Sequence, residues 1–91
     1  MKIIQDKKFI KEVSKLIVNN TQLKNKLIEV YELMEKNIFD PKLKTHKLQG
    51  ELKERWSCSL TYNLRIIFKF REINNEKVIE LLMVGDHDSV Y

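Results

Sequence analysis

Two histidines occur in these 91 residues, and each sits in a short polar cluster. His46 lies in Thr45-His46-Lys47-Leu48-Gln49-Gly50. His87 lies in Gly85-Asp86-His87-Asp88-Ser89-Val90-Tyr91, directly after the most apolar run, Val78 to Val84. Imidazole exchanges protons near neutral pH, which suits it to general acid–base work. A strand that ends by delivering an imidazole and a phenol is poorly explained by packing alone. Between Lys42 and Arg71, eight cations (Lys42, Lys44, Lys47, Lys53, Arg55, Arg65, Lys69 and Arg71) face only Glu51 and Glu54, an excess of six positive charges. A basic segment that also holds a histidine points to phosphate contact.

Each of these residues also has a plain structural reading. A surface histidine is usually just solvated, and His87 after Gly85 would serve equally well in a turn or cap. Its flanking aspartates would raise its pKa by opposing charge and favour an acid role. Asp86-His87-Asp88 is a poor metal site, because three adjacent side chains of an extended segment point in different directions. Arg65 has Glu54 or Glu80 as possible partners. Trp56, Phe68 and Phe70 read as core, and Cys58 reads as buried packing rather than nucleophile.

The elements that must position these groups are legible from periodicity. Phe9, Ile10, Val13, Leu16 and Ile17 recur at helical spacing behind Asp6, a helix cap. Asn19-Asn20 breaks the pattern. Thr21 is the expected cap of a second helix, with Leu23, Leu27, Val30, Tyr31 and Met34 on one face and an end near Asn37, before Asp40-Pro41. Period two follows. Arg55 to Tyr62 and Leu64 to Arg71 alternate as half-buried strands, with a tight turn at Tyr62-Asn63. Asn74-Asn75 makes a second turn, and Lys77 to Val84, apolar on both faces, is a central strand. Residues 2 to 5 add a short first strand. The expected fold is α+β, in the order β-α-α-β-β-β: two N-terminal helices packed on one face of a mostly antiparallel sheet. Alternation sends Trp56 toward the helices and leaves Arg55, Ser57, Arg65 and Lys69 together as a positive patch on the opposite face.

Length and composition bound the rest. Residues 1–91 make one small domain, with an ordinary apolar share and a net charge of +4. No apolar run approaches the roughly 20 residues of a membrane span, and the N-terminus lacks an apolar signal core. Cys58 is the single cysteine, so no internal disulfide is possible and a cytoplasmic location is expected.

Thr45-His46-Lys47-Leu48-x-Gly50, Trp56-Ser57, Leu64-Arg65-Ile66-Ile67-Phe68 and Gly85-x-His87-Asp88-x-Val90-Tyr91 together resemble the RelE superfamily of toxins, most of all its YafQ-like members from type II toxin–antitoxin systems. The resemblance covers nearly the whole chain and is most specific from His46 onward. It implies a RelE-like fold and an endoribonuclease, an mRNA interferase that cuts messenger RNA on the ribosome with no metal and no other cofactor. It also implies a cognate antitoxin that wraps and neutralises the toxin, with operator DNA contacted only through the antitoxin complex. Carried over by position, His46 and His87 match the proton-transfer histidines, Arg65 the arginine at the scissile phosphate, and Tyr91 the terminal aromatic of the site. Where some YafQ-like members have a further histidine and an aspartate, this chain has Ser59 and Asn63.

Metal-free RNA cleavage needs a base to take the 2′-hydroxyl proton, a cation at the phosphorane, and an acid for the departing 5′ oxygen. Histidine suits both proton roles, and the planar fork of arginine grips two phosphate oxygens. In this scheme His46 is the base, His87 the acid, Arg65 the stabiliser and Tyr91 an orienting contact. Lys47, Lys53 and Arg55 would bind RNA backbone phosphates. Two alternatives stand beside it: a catalytically weakened binding module, motivated by Ser59 and Asn63, and a DNA-binding regulator, which the dispersed charge of the helices does not favour.

Overall fold

The computed structural model describes residues 1–50 and 54–86. Strand β1 (Lys2–Gln5) leads into helix α1 (Lys7–Ile17), helix α2 (Thr21–Lys36) and a short 3₁₀ turn (Pro41–Leu43). Strands β2 (His46–Lys47), β3 (Trp56–Ser59), β4 (Leu64–Ile73) and β5 (Glu76–Asp86) follow. The five strands lie in the order β1-β5-β4-β3-β2. Only β1 and β5 run parallel; the other pairs are antiparallel. The expected α+β architecture is therefore present, with one strand more than the periodicity announced. β2 spans two residues, too short to display an alternating pattern.

The helices form because each has an apolar stripe to bury. Phe9 and Val13 of α1, and Leu23, Leu27, Val30 and Met34 of α2, pack with Cys58, Ile66, Phe68, Ile79, Leu81 and Val84 of the sheet. Burying each large side chain here contributes about 1.5–3 kcal/mol. The α1 stripe is narrower than its sequence pattern, since Ile10 is 45% exposed. The caps also differ from expectation. Asn20, not Thr21, closes α2, its Oδ1 accepting the Leu23 N–H at 3.1 Å. Asp6 occupies the N-cap of α1 without a side-chain cap bond; its carboxyl instead hydrogen bonds to Glu80.

The β4–β5 hairpin is the spine of the sheet. Asn74 and Asn75 turn it with φ of 52° and 64°, the left-handed pair that matches strand twist in a two-residue turn. The register slips between Ile67 and Phe68: Ile67 faces Met83 and Phe68 faces Leu81, leaving Leu82 as the extra residue of a bulge. β3 stops at Ser59, short of Tyr62. The Leu60 and Thr61 N–H groups both donate to the Leu64 carbonyl, at 2.9 and 3.2 Å, closing a loop rather than extending a ladder. Tyr62, which the alternation groups with Trp56, sits at that loop's tip and is 92% exposed.

The sheet face away from the helices is not the open positive surface that alternation suggested. Ser57 is fully buried, and Leu48, Ile67 and Met83 form a second apolar cluster there. Adjacent Ile66 and Ile67 make β4 apolar on both sides at its centre, so this face buries a small core of its own.

Candidate functional site

Register decides which side chains meet. His46 pairs with Ser57, Ser57 with Ile67, and Ile67 with Met83, so this row shares the helix-free face. The next row holds Ser59, Arg65 and Gly85. His46 and Arg65 therefore lie on one face, two strands and two residues apart. With strands spaced about 4.8 Å and a rise of about 3.4 Å per residue, their Cα atoms are about 12 Å apart, within the combined reach of the two side chains.

His46 is held by local bonds. Lys44 takes the left-handed conformation (φ 51°), and Thr45 Oγ1 donates to the Ile38 carbonyl at 2.6 Å. The exposed His46 ring places Nδ1 3.0 Å from the Lys44 carbonyl. A carbonyl only accepts, so Nδ1 donates, and in the neutral ring the lone pair belongs to Nε2. Such an orienting bond fixes the tautomer needed for a proton acceptor.

Arg65 is half-buried on β4. Its Nε and Nη1 are shielded from solvent and have no hydrogen-bond partner among the described residues. Neither of its sequence-suggested partners neutralises it. Glu80 instead binds Lys69 at 3.6 Å and Arg71 at 3.4 Å. The hydrogen bond that protonated Glu80 donates to the Asp6 carboxylate, burial, and the Asp6 charge push the Glu80 carboxyl above the usual carboxylate range, and Lys69 and Arg71 offset this in part. Two of the eight cations in the basic segment are thus engaged by one buried glutamate. A buried guanidinium without partners is costly unless something else satisfies it.

The remaining candidates divide. Arg55 accepts the Leu48 N–H through its carbonyl at 2.8 Å, which extends the β2–β3 ladder and puts Arg55 on the same face as His46. Lys47 pairs with Trp56 and so projects to the other face. Lys53, His87 and Tyr91 lie outside the described residues. The chain reaches Asp86, paired with Leu64 beside the Arg65–Gly85 row, immediately before His87. Ser59 donates its hydroxyl to the Thr61 carbonyl at 3.1 Å, a loop-stabilising role. Cys58 is buried and its thiol is pushed up to about 12 by desolvation, partly offset by the Arg65 charge, which removes it as a nucleophile. Trp56 packs edge-on against Phe39 and Phe70, at centroid distances of 5.7 and 5.4 Å.

Among the described residues, no group of three or more His, Cys, Asp or Glu side chains is arranged to hold a metal ion. No described helix is long and apolar enough to cross a membrane. Sequence reasoning overlooked one feature, a cavity of about 600 Å³ between α2, the 3₁₀ turn and the β3–β4 loop. Its lysines are dispersed along the chain, and Tyr62 reads in the sequence as the end of a strand, so no sequence signal marked it.

Comparison with known proteins follows the same fold. The YoeB/ParE toxin from Agrobacterium tumefaciens superposes with a TM-score of 0.78 at 16% identity, covering 96% of this chain and 99% of that one. YafQ from E. coli strain BL21(DE3) gives 0.75 at 22% identity, covering 99% and 97%. A metal-bound toxin from Helicobacter pylori gives 0.75 at 28% identity, covering 100% and 99%. No curated protein is similar enough to be matched. The family described as the bacterial toxin of type II toxin–antitoxin systems, YafQ, matches residues 1–91. With that match over its whole length and the shared two-helix, five-strand architecture, the chain belongs to the YafQ family of type II toxin–antitoxin toxins, within the RelE superfamily.

Proposed function

We propose that this toxin is an endoribonuclease that cleaves messenger RNA on the ribosome by attack of a 2′-hydroxyl on the adjacent phosphorus. His46 takes the 2′ proton through Nε2. Arg65 neutralises the phosphorane with its guanidinium charge. His87 protonates the departing 5′ oxygen, and Tyr91 orients the phosphate. Lys53 and Arg55 hold flanking phosphates, and Lys47, which projects to the other face, takes no part. The reaction uses no metal and leaves a 2′,3′-cyclic or 3′-phosphate and a 5′-hydroxyl.

The observation that carries this reading is the Arg65 guanidinium, whose Nε and Nη1 are buried without a partner among the described residues, on the same face as an imidazole oriented by its Nδ1 bond to the Lys44 carbonyl. A solved E. coli DinJ–YafQ complex superposes on this chain with a TM-score of 0.73 at 23% identity, covering 99% of this chain and 97% of that one. By that likeness the toxin is neutralised by a cognate antitoxin. Operator DNA is then met only through the pair.

The test is expression in bacteria of the wild type, Arg65→Ala and His87→Ala, with growth and mRNA ends on translating ribosomes as readouts. Wild type should arrest growth and generate 5′-hydroxyl ends, and both variants should lose this. Purified toxin with translating ribosomes should cut equally before and after treatment with a chelator that strips transition metals and leaves ribosomal magnesium in place. Equal arrest by wild type and both variants refutes the assignment. A second reading, a weakened binding module, is favoured by Ser59, whose hydroxyl is committed to the loop and offers no proton-transfer group. Intact messages under wild-type expression would select it.

A further inference from the structure

The cavity between α2, the 3₁₀ turn and the β3–β4 loop has no role in the chemistry above, yet its lining is specific. Lys26 and Lys36 enter it from α2, Lys42 and Lys44 from the 3₁₀ turn and its cap, and Tyr62 from the loop tip. Glu29 and Glu32 are the acidic side chains in the lining. Glu29 is drawn to Lys26 at 3.8 Å, while Lys36, Lys42 and Lys44 form no ion pair among the described residues. A volume of about 600 Å³ lies within the range of small-molecule sites.

Tyr62 is the most exposed large apolar side chain among the described residues. It is not loosely held. The Leu60 and Thr61 N–H groups bind the Leu64 carbonyl, Thr61 Oγ1 accepts the Leu64 N–H at 3.1 Å, and Ser59 Oγ closes on the Thr61 carbonyl. The backbone presenting the ring is therefore fixed before anything binds. An aromatic face beside several unpaired ammonium groups matches a nucleotide of single-stranded RNA: a base to stack and a phosphate to neutralise.

Continuity with the site gives the cavity its meaning. The carbonyl of Lys44 orients His46, and Ser59 stands opposite Arg65. Both also line the cavity, so it adjoins the segments that carry the two site residues. We propose that it is a flanking subsite that holds a nucleotide of the RNA next to the scissile phosphate, with the base on Tyr62 and the backbone on Lys36 and Lys42. The subsite rests on the nuclease reading for its position, but its binding is measurable without cleavage.

The experiment uses the full chain and a fluorescent 2′-O-methyl octaribonucleotide, which lacks the attacking hydroxyl and cannot be cut. Anisotropy titrations over a range of salt give the affinity and its salt slope. Tyr62→Ala should weaken binding on the order of tenfold, and Tyr62→Phe should not. Lys36→Gln with Lys42→Gln should flatten the slope by about 1.4, at about 0.7 per lost phosphate contact on a single strand. Lys24→Gln, a charge loss on α2 outside the lining, should leave the slope within error of wild type. Wild-type affinity and slope in both Tyr62→Ala and the double lysine variant would overturn the subsite. So would no oligonucleotide binding by wild type together with binding of an acidic helical peptide that Tyr62→Ala abolishes, since the occupant would then be protein. Should wild type fail to cut messages on ribosomes while these binding losses hold, the nuclease reading falls and the subsite stands.

Discussion

Replacing Arg65 by methionine should make the protein more stable and less active at once. The side chain lies half-buried on β4, with Nε and Nη1 shielded from solvent and without partners among the described residues. An unsatisfied buried polar atom costs about 1–3 kcal/mol, and more when charged. Methionine keeps most of the aliphatic stem's packing and removes the desolvated cation. Part of the gain is offset by the solvation that the exposed end of the guanidinium retains. A net gain of about 1–2 kcal/mol is expected, which in a domain of this size raises the melting temperature by about 4–16 °C. Activity should move the other way, by about 10²–10³-fold, the usual consequence of deleting one transition-state stabiliser. Urea denaturation of both proteins, paired with mRNA cleavage on translating ribosomes, measures the two together. If Arg65→Met lowers stability, the guanidinium has native partners of its own. The argument that it waits for a phosphate is then refuted, whatever happens to activity.

Three further expectations follow from the packing and electrostatics. Phe68, fully buried at the centre of the sheet and edge-on to Phe70 at 5.6 Å, should cost about 3–5 kcal/mol when cut to alanine, enough to unfold much of a small domain at 37 °C; circular dichroism melts check it. Cys58, buried and with its thiol pushed up to about 12, should react with a thiol reagent only as fast as the protein opens, so the rate should track denaturant concentration. Glu80 has a folded pKa raised above its ordinary 4.5, so the stability it contributes is complete below that value and is lost as pH rises through the raised pKa. Glu80→Gln should therefore flatten the fall in urea midpoint above about pH 4.5; an unchanged pH profile would show that the Asp6 contact does not bias its proton.

What was legible in the chain was whatever announces itself locally. The helices, the long β4–β5 hairpin and the Asn74-Asn75 turn follow from spacing and from residues that tolerate left-handed backbone. β2 was not legible, because two residues carry no period. Its place at the sheet edge is set by distant bonds, Leu48 to Arg55 and Thr45 to Ile38. That same register sends Lys47 to the face away from His46, a separation no inspection of Thr45-His46-Lys47 reveals. The strand end at Ser59 escaped for a related reason: the alternation of Leu60 and Tyr62 continues in sequence while the backbone has already turned toward Leu64. The positive patch was overdrawn because Ile67 interrupts it and Glu80 engages Lys69 and Arg71. Arg65 was identifiable as a candidate, but its lack of partners is a property of packing alone.

The parallel pairing of β1 with β5 has a consequence for how the molecule is made. Lys2 to Gln5 are synthesised well before Val78 to Leu81, the residues they pair with. During synthesis β1 has no ladder to join until the β4–β5 hairpin has emerged. A nascent chain halted before Val78 carries His46 and Arg65 but lacks the strand that runs between β1 and β4, so premature termination yields peptides without the complete sheet whose face those two residues share.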